Sequence, residues 1–122
     1  MTNDQKKAFL LLEAVVFQYD GLDEKEGRLL WEAAEGMDAS DELQWVNDFL
    51  AADPLTAFDR ARAYLNKLTD DWDSDVRLHC LEMAWKAISR KGHITEMEAT
   101  ALLKVAKDWK LQRELIAMVR KK

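Results

Sequence analysis

Apolar residues recur along this chain at spacings of three and four, the period of an amphipathic helix, and show no alternating strand pattern. The densest run is "AFLLLEAVVF", residues 8–17, within a helix predicted over about 4–18. Apolar side chains cover most of its circumference, so it belongs in the centre of the fold. "YDG" ends it, with Gly21 free to take positive φ. Asp23 caps a second helix with Glu26 three residues on, a variant of the capping box, and Leu29, Leu30, Ala33, Ala34 and Met37 follow at helical spacing. "GMDAS" closes that helix, and Ser40 is placed to cap a third carrying Leu43, Val46, Phe49 and Leu50. Asp53-Pro54 predicts the start of a fourth, with proline at the first helical position. After "TDDWDSD", a long helix is expected over about 75–90, apolar nearly all round and therefore a second central element. Gly92 stops it. Thr95 and Glu98 then form a T-x-x-E capping box before a stripe of Leu102, Val105, Ala106 and Trp109. The apolar phase slips at Lys110, which predicts a break and a last short helix ending in Arg120-Lys121-Lys122, cations suited to the negative end of a helix dipole. The fold class is all-α, a compact bundle of about seven helices forming one domain over 1–122.

The pattern also repeats. "FQYDG-LDEKEGRLLWEAAEGMD" aligns with "ISRKGHITEMEATALLKVAKDWK" if the second turn holds one extra residue. Gly21 then meets Gly92, Glu26 meets Glu98, Leu30 meets Leu102 and Ala34 meets Ala106; upstream, Leu10 meets Leu81 and Phe17 meets Ile88. Two hairpins of this kind can pack about a pseudo-twofold axis with the first and fifth helices at the centre. Chance similarity between two amphipathic hairpins is the alternative.

These turns, Tyr19-Asp20-Gly21-Leu22-Asp23-Glu24-Lys25-Glu26 and Lys91-Gly92-His93-Ile94-Thr95-Glu96-Met97-Glu98, with "LLKVAKDWKL" after the second, resemble the TerB-like family. That is the tellurite-resistance protein B group, which also resembles the N-terminal region of the DjlA co-chaperones. The resemblance spans nearly the whole chain on short motifs. It implies an all-helical fold, a divalent-cation role for the acidic residues and a link to stress response. Lys91 stands where the family has aspartate, which counts against a paired acidic site.

Charge narrows the choice of partners. The net charge of −5 disfavours general nucleic-acid binding. It is unevenly spread, with nine acids and two bases in 20–42 against seven bases and two acids in 104–122. An acidic end and a basic end can guide docking to a protein partner or to another copy, and the bland reading is solvated helix faces. Lys6-Lys7 before the first apolar run resembles a signal peptide, but Glu13 interrupts the run and no cleavage site follows. No membrane insertion is expected, and the single cysteine, Cys80, suits a reducing, cytoplasmic setting.

Candidate chemistry is sparse. Read as an EF-hand with Gly92 at its sixth position, the second turn places Ala87, Ser89 and Lys91 where oxygen ligands belong, so Gly92 and Glu98 are a helix break and a cap. The first turn gathers Asp20, Asp23, Glu24 and Glu26, oxygen donors suited to magnesium or calcium, with Asp20 and Glu26 the best candidates for a metal site. The structural reading of the same acids is capping and the helix dipole. Asp71, Asp73 and Asp75 have D-x-D-x-D spacing but lack the glycine such a loop needs. His79 and Cys80 point to different sides of one helix. No nucleophile elbow, phosphate loop or zinc motif occurs, so no catalytic residue is assigned and no cofactor beyond a divalent cation is indicated. Wide helix faces are expected to bury the five tryptophans; exposed ones would suit a partner surface. The leading expectation is a non-catalytic binding or adaptor domain of a bacterial stress-response, tellurite-resistance-like type, with weak divalent-cation binding. The alternative is a metal-free protein–protein interaction module of helical hairpins.

Overall fold

The structure, a computed structural model, describes residues 1–120. Among them are seven α-helices and no strand: α1 (Asn3–Tyr19), α2 (Glu24–Gly36), α3 (Ser40–Ala51), α4 (Ala57–Leu68), α5 (Ser74–Ser89), α6 (Glu96–Asp108) and α7 (Gln112–Arg120). Lys121 and Lys122, expected at the end of the last helix, lie outside the described residues.

Helix α1 is the axis of the fold. Every residue from Ala8 to Phe17 is buried, and the helix packs against α2, α3, α4, α5 and α6. A stretch that is apolar on all sides can satisfy itself only inside a ring of other helices. Each leucine of the 10–12 run is wholly enclosed, worth about 1.5–3 kcal/mol per side chain. The expectation of a second central helix is corrected. Helix α5 buries only Cys80, Leu81, Ala84 and Ile88, while Val76, Leu78 and Trp85 are half-buried and His79 and Lys86 are in solvent. With α1 already at the centre, α5 presses one face against α1, α6 and α7 and shows the other to water.

The repeat is real at the level of local geometry and longer than two helices. Gly21 and Gly92 both take positive φ, at 90° and 116°. Asp23 and Thr95 cap the following helices with both arms of a capping box closed by Glu26 and Glu98. At the far ends, Asp38 and Lys110 both adopt left-handed backbone, with φ of 53° and 60°. The next amides, of Ala39 and Leu111, donate back to the Ala34 and Ala106 carbonyls, each at 2.8 Å. These are Schellman-type closures. Each aims a third helix, α3 or α7, back along its hairpin. The unit is therefore three helices, α1–α2–α3 and α5–α6–α7, with α4 as the connector.

Two helix starts differ from expectation. Ala39, not Ser40, holds the cap position of α3, and no side chain caps it. The Schellman closure already fixes the chain there. At Asp53-Pro54 the chain makes a hydrogen-bonded turn, and α4 begins at Ala57. The Asp53 carboxylate accepts from the Leu55 amide, and the Arg60 guanidinium donates to the Asp53 and Phe49 carbonyls and to the Thr56 hydroxyl. Those bonds hold 53–56 as a turn in front of the helix.

The positive backbone angles at Lys110 and Gly92 predict opposite responses to substitution. Lys110→Gly relieves left-handed strain and is expected to raise stability by up to ~1 kcal/mol. Gly92→Ala has open space for its Cβ, so its expected loss of about 1–2 kcal/mol is purely conformational. Urea denaturation of the two variants checks both signs.

Candidate functional site

The two glycine turns meet. Each capping box uses one oxygen of its glutamate, Oε1, to accept the amide of its own cap residue, from Asp23 at 3.1 Å and from Thr95 at 3.0 Å. The second oxygens of Glu26 and Glu98 are left facing the junction between the hairpins. Lys91 fills the space between them. Its Nζ lies 2.6 Å from Glu26 Oε2 and is hydrogen-bonded to Glu98 Oε2. It also lies 5.3 Å from the centre of the Phe17 ring.

This is a buried charge cluster. The side chains of Lys91, Glu26 and Glu98 are 8%, 5% and 0% exposed. Burial pulls the Lys91 ammonium toward neutrality, but the hydrogen bonds and charges of Glu26 and Glu98 outweigh it and raise its pKa. Two further bonds cross the junction. The Thr95 hydroxyl donates to Asp20 Oδ2 at 2.7 Å, and Lys25 Nζ donates to the Lys91 carbonyl at 3.0 Å. Asp20 and Lys91 are the residues immediately before the two matched glycines. The pseudo-symmetric positions therefore carry opposite charges, and each reaches the capping box of the other hairpin.

The candidate metal residues accordingly have different partners. Asp20 is bound to Thr95, and Glu26 is bound to the Asp23 amide and Lys91. Glu98 was read from sequence only as a cap, yet it is the second carboxylate of the cluster. A divalent cation fits this donor set poorly, because calcium needs six or more oxygens and an ammonium already lies against the two best placed. Among the described residues no three His, Cys, Asp or Glu side chains converge to hold a metal ion. Asp71, Asp73 and Asp75 are all exposed around the start of α5. Lys91 was legible from sequence as a departure from a family pattern and as a residue that spoils a calcium loop, but not as the partner of Glu26 and Glu98; a single base beside two matched capping glutamates was the available signal.

A third buried carboxylate sits in α1. Glu13 is 1% exposed, and neither oxygen has a hydrogen-bond partner among the described residues. Burial pushes its carboxyl up to about 8, against a smaller opposing pull from Arg90. In the repeat its counterpart is Ala84. Cys80 is buried, which pushes its thiol up to about 12 and disfavours the thiolate; the imidazole of neighbouring His79 lies against Glu82.

The surface carries unpaired apolar groups. Trp31 is 55% exposed on α2, which corrects the expectation that all tryptophans are enclosed; Trp109 is buried and Trp45, Trp72 and Trp85 are half-buried. Leu22 is 49% exposed and Leu55 97%. Between α1, α2 and α3 lies a depression of about 350 Å³ whose lining, which includes Leu22, Leu30, Leu50 and Pro54, has no charged side chain. A neighbouring one of about 380 Å³ shares Gln18 and Pro54 and is bounded by Leu55. No helix among the described residues is long and apolar enough to cross a membrane.

Comparison with known proteins returns no family, no curated protein and no solved structure that matches this chain.

The Lys91 cluster and Glu13 make contrasting predictions. Lys91→Ala leaves two carboxylates unneutralised and is expected to cost about 3 kcal/mol in urea denaturation. For Glu13 the folded pKa lies above the unfolded value, so the folded state holds the extra proton. Stability from this group is present at low pH and falls as pH rises from about 4.5 to about 8, by of order 1 kcal/mol per pH unit. Glu13→Gln is expected to flatten that slope in denaturation curves measured across the window.

Proposed function

We propose that this is a non-catalytic binding or adaptor domain that works without a bound metal, its two hairpins locked by an internal ammonium. One observation carries the reading: Lys91 Nζ stands between Glu26 and Glu98, the carboxylates that an acidic cation site at this junction would use. An ammonium and a divalent cation are competing solutions to one electrostatic problem, the neutralisation of two buried like charges. The lysine is covalently present at every ion concentration, so the domain needs no metal to hold its shape. The weak cation binding suggested by Asp20 and Glu26 thereby gives way to the metal-free interaction module. Support for binding rather than catalysis comes from where the apolar surface lies: Leu22, Trp31 and Leu55 stand outside the core, where partner surfaces commonly place such groups. The stress-response setting rests on the resemblance of the two turn motifs to the TerB-like family.

Calorimetric titration with calcium, magnesium and zinc tests this. The wild-type chain, Asp20→Asn and Glu26→Gln are expected to give no saturable heat. Lys91→Ala, checked for helicity by circular dichroism, is expected to gain saturable binding and to melt at higher temperature when the ion is present. Saturable binding to the wild type that Asp20→Asn or Glu26→Gln abolishes would restore the cation-binding reading.

A further inference from the structure

We propose that copies of this chain associate head to tail, the outer face of α7 of one copy seating in the apolar groove of the next. The groove is the depression between α1, α2 and α3, extended past Pro54 to Leu55. Leu55 is almost wholly exposed, and it is held there. The Arg60 guanidinium ties both sides of its turn through three hydrogen bonds, and the Asp53 carboxylate accepts its amide. These bonds order the backbone of the turn that presents Leu55, which lowers the entropic cost of a contact made there.

The occupant is argued from charge. Asp23 follows Leu22, Asp48 follows Asn47 of the groove lining, and Asp53 precedes Pro54; all three are exposed. Asp59 and Lys104 line the extension and offset each other. Arg60, which donates to the Asp53 carbonyl, is a further cation beside the turn, so Asp23, Asp48, Asp53 and Asp59 stand against Arg60 and Lys104. An apolar floor with net acidic surroundings suits a basic amphipathic face. Helix α7 presents one. Arg113, Ile116, Ala117 and Arg120 are spaced i, i+3, i+4 and i+7, so they share one side of the helix. All four are exposed and Leu115 is buried; the exposed acid of α7, Glu114, lies to one side of this face, where it lines a depression with Ala117 and α5. Ile116 is 37% exposed between two arginines.

The complement must be another molecule. Helix α7 packs on α5 and α6, whereas the groove belongs to α1, α2, α3 and the 53–56 turn, so one chain does not satisfy its own face. The two patches are different surfaces, which makes the contact heterologous, able to extend or to close as a ring. The uneven charge of the sequence, acidic over 20–42 and basic over 104–122, would steer the approach.

This is independent of the metal question, and sedimentation velocity on the full chain tests it. The wild type is expected to gain mass with concentration in about 0.02 M salt and to lose it in about 0.5 M salt. Ile116→Asp and Leu55→Asp change exposed residues, and unchanged thermal melts would confirm that both fold. Each is expected to weaken association by about tenfold or more. Mixed in equal amounts they should form a one-to-one pair, because one keeps its groove and the other its α7 face. A wild type that is monomeric throughout, association indifferent to either substitution, or variants that fail to pair with each other would each overturn the proposal. A basic amphipathic peptide that binds the groove while the wild type stays monomeric would assign the groove to a different protein.

Discussion

Two carboxylates that face one another inside a protein repel, and the rest of this junction is arranged around that fact. Each is held in place for a local reason: Glu26 and Glu98 close the capping boxes that start α2 and α6. Because each gives one oxygen to its own helix, the other oxygen of each is committed to the shared junction. Lys91 resolves the repulsion from the turn that follows α5, with its carbonyl anchored by Lys25 and its ammonium against Phe17. Local capping, turn geometry and long-range packing thus meet at one nitrogen atom. A buried ion cluster is weak evidence for net stability, since desolvation opposes it. What it fixes is register. The ammonium reaches both carboxylates only if the two turns sit side by side.

Much of this fold was legible because its signals are local. A glycine at a positive-φ turn, a capping residue with a glutamate three on, and apolar residues at helical spacing each act within one turn of chain. They placed α1, α2, α6 and the break before α7. Signals that depend on competition between segments misled. Asp53-Pro54 satisfies every local rule for a helix start, yet Arg60, seven residues downstream of Asp53, ties that stretch into a turn. Helix α5 has the composition of a central helix, yet α1, enclosed from Ala8 to Phe17 and packed on five helices, holds the centre, and α5 buries one face against it. Trp31 stands in solvent at the position matched by half-buried Leu103. Of the candidate site, the sequence supplied Asp20, Glu26 and the capping role of Glu98, but not their partners. The bond from Thr95 to Asp20 spans 75 residues, and the contact of Lys91 with Glu26 spans 65.

The two halves share a plan and diverge at informative places. Asp20 and Lys91 are opposite charges at matched positions, which turns a symmetric acidic pair into a complementary one. Glu13 and Ala84 differ in the core, where the first half keeps an unpartnered carboxyl that its mate lacks. The third helices diverge in charge. Exposed Asp41 and Asp48 of α3 are acidic, whereas Arg113 and Arg120 of α7 are basic. A domain built from two similar units therefore has unlike ends, and that polarity gives its surface a direction.

The most direct test of the central claim is a double-mutant cycle between Glu26 and Lys91, using Glu26→Gln, Lys91→Met and the pair in urea denaturation. If this ammonium joins the hairpins, the two changes are strongly coupled, by about 1 kcal/mol or more, and the double variant is less damaged than the single losses sum to. Additive losses would mean that the two groups do not act together, and the account of the junction would be wrong.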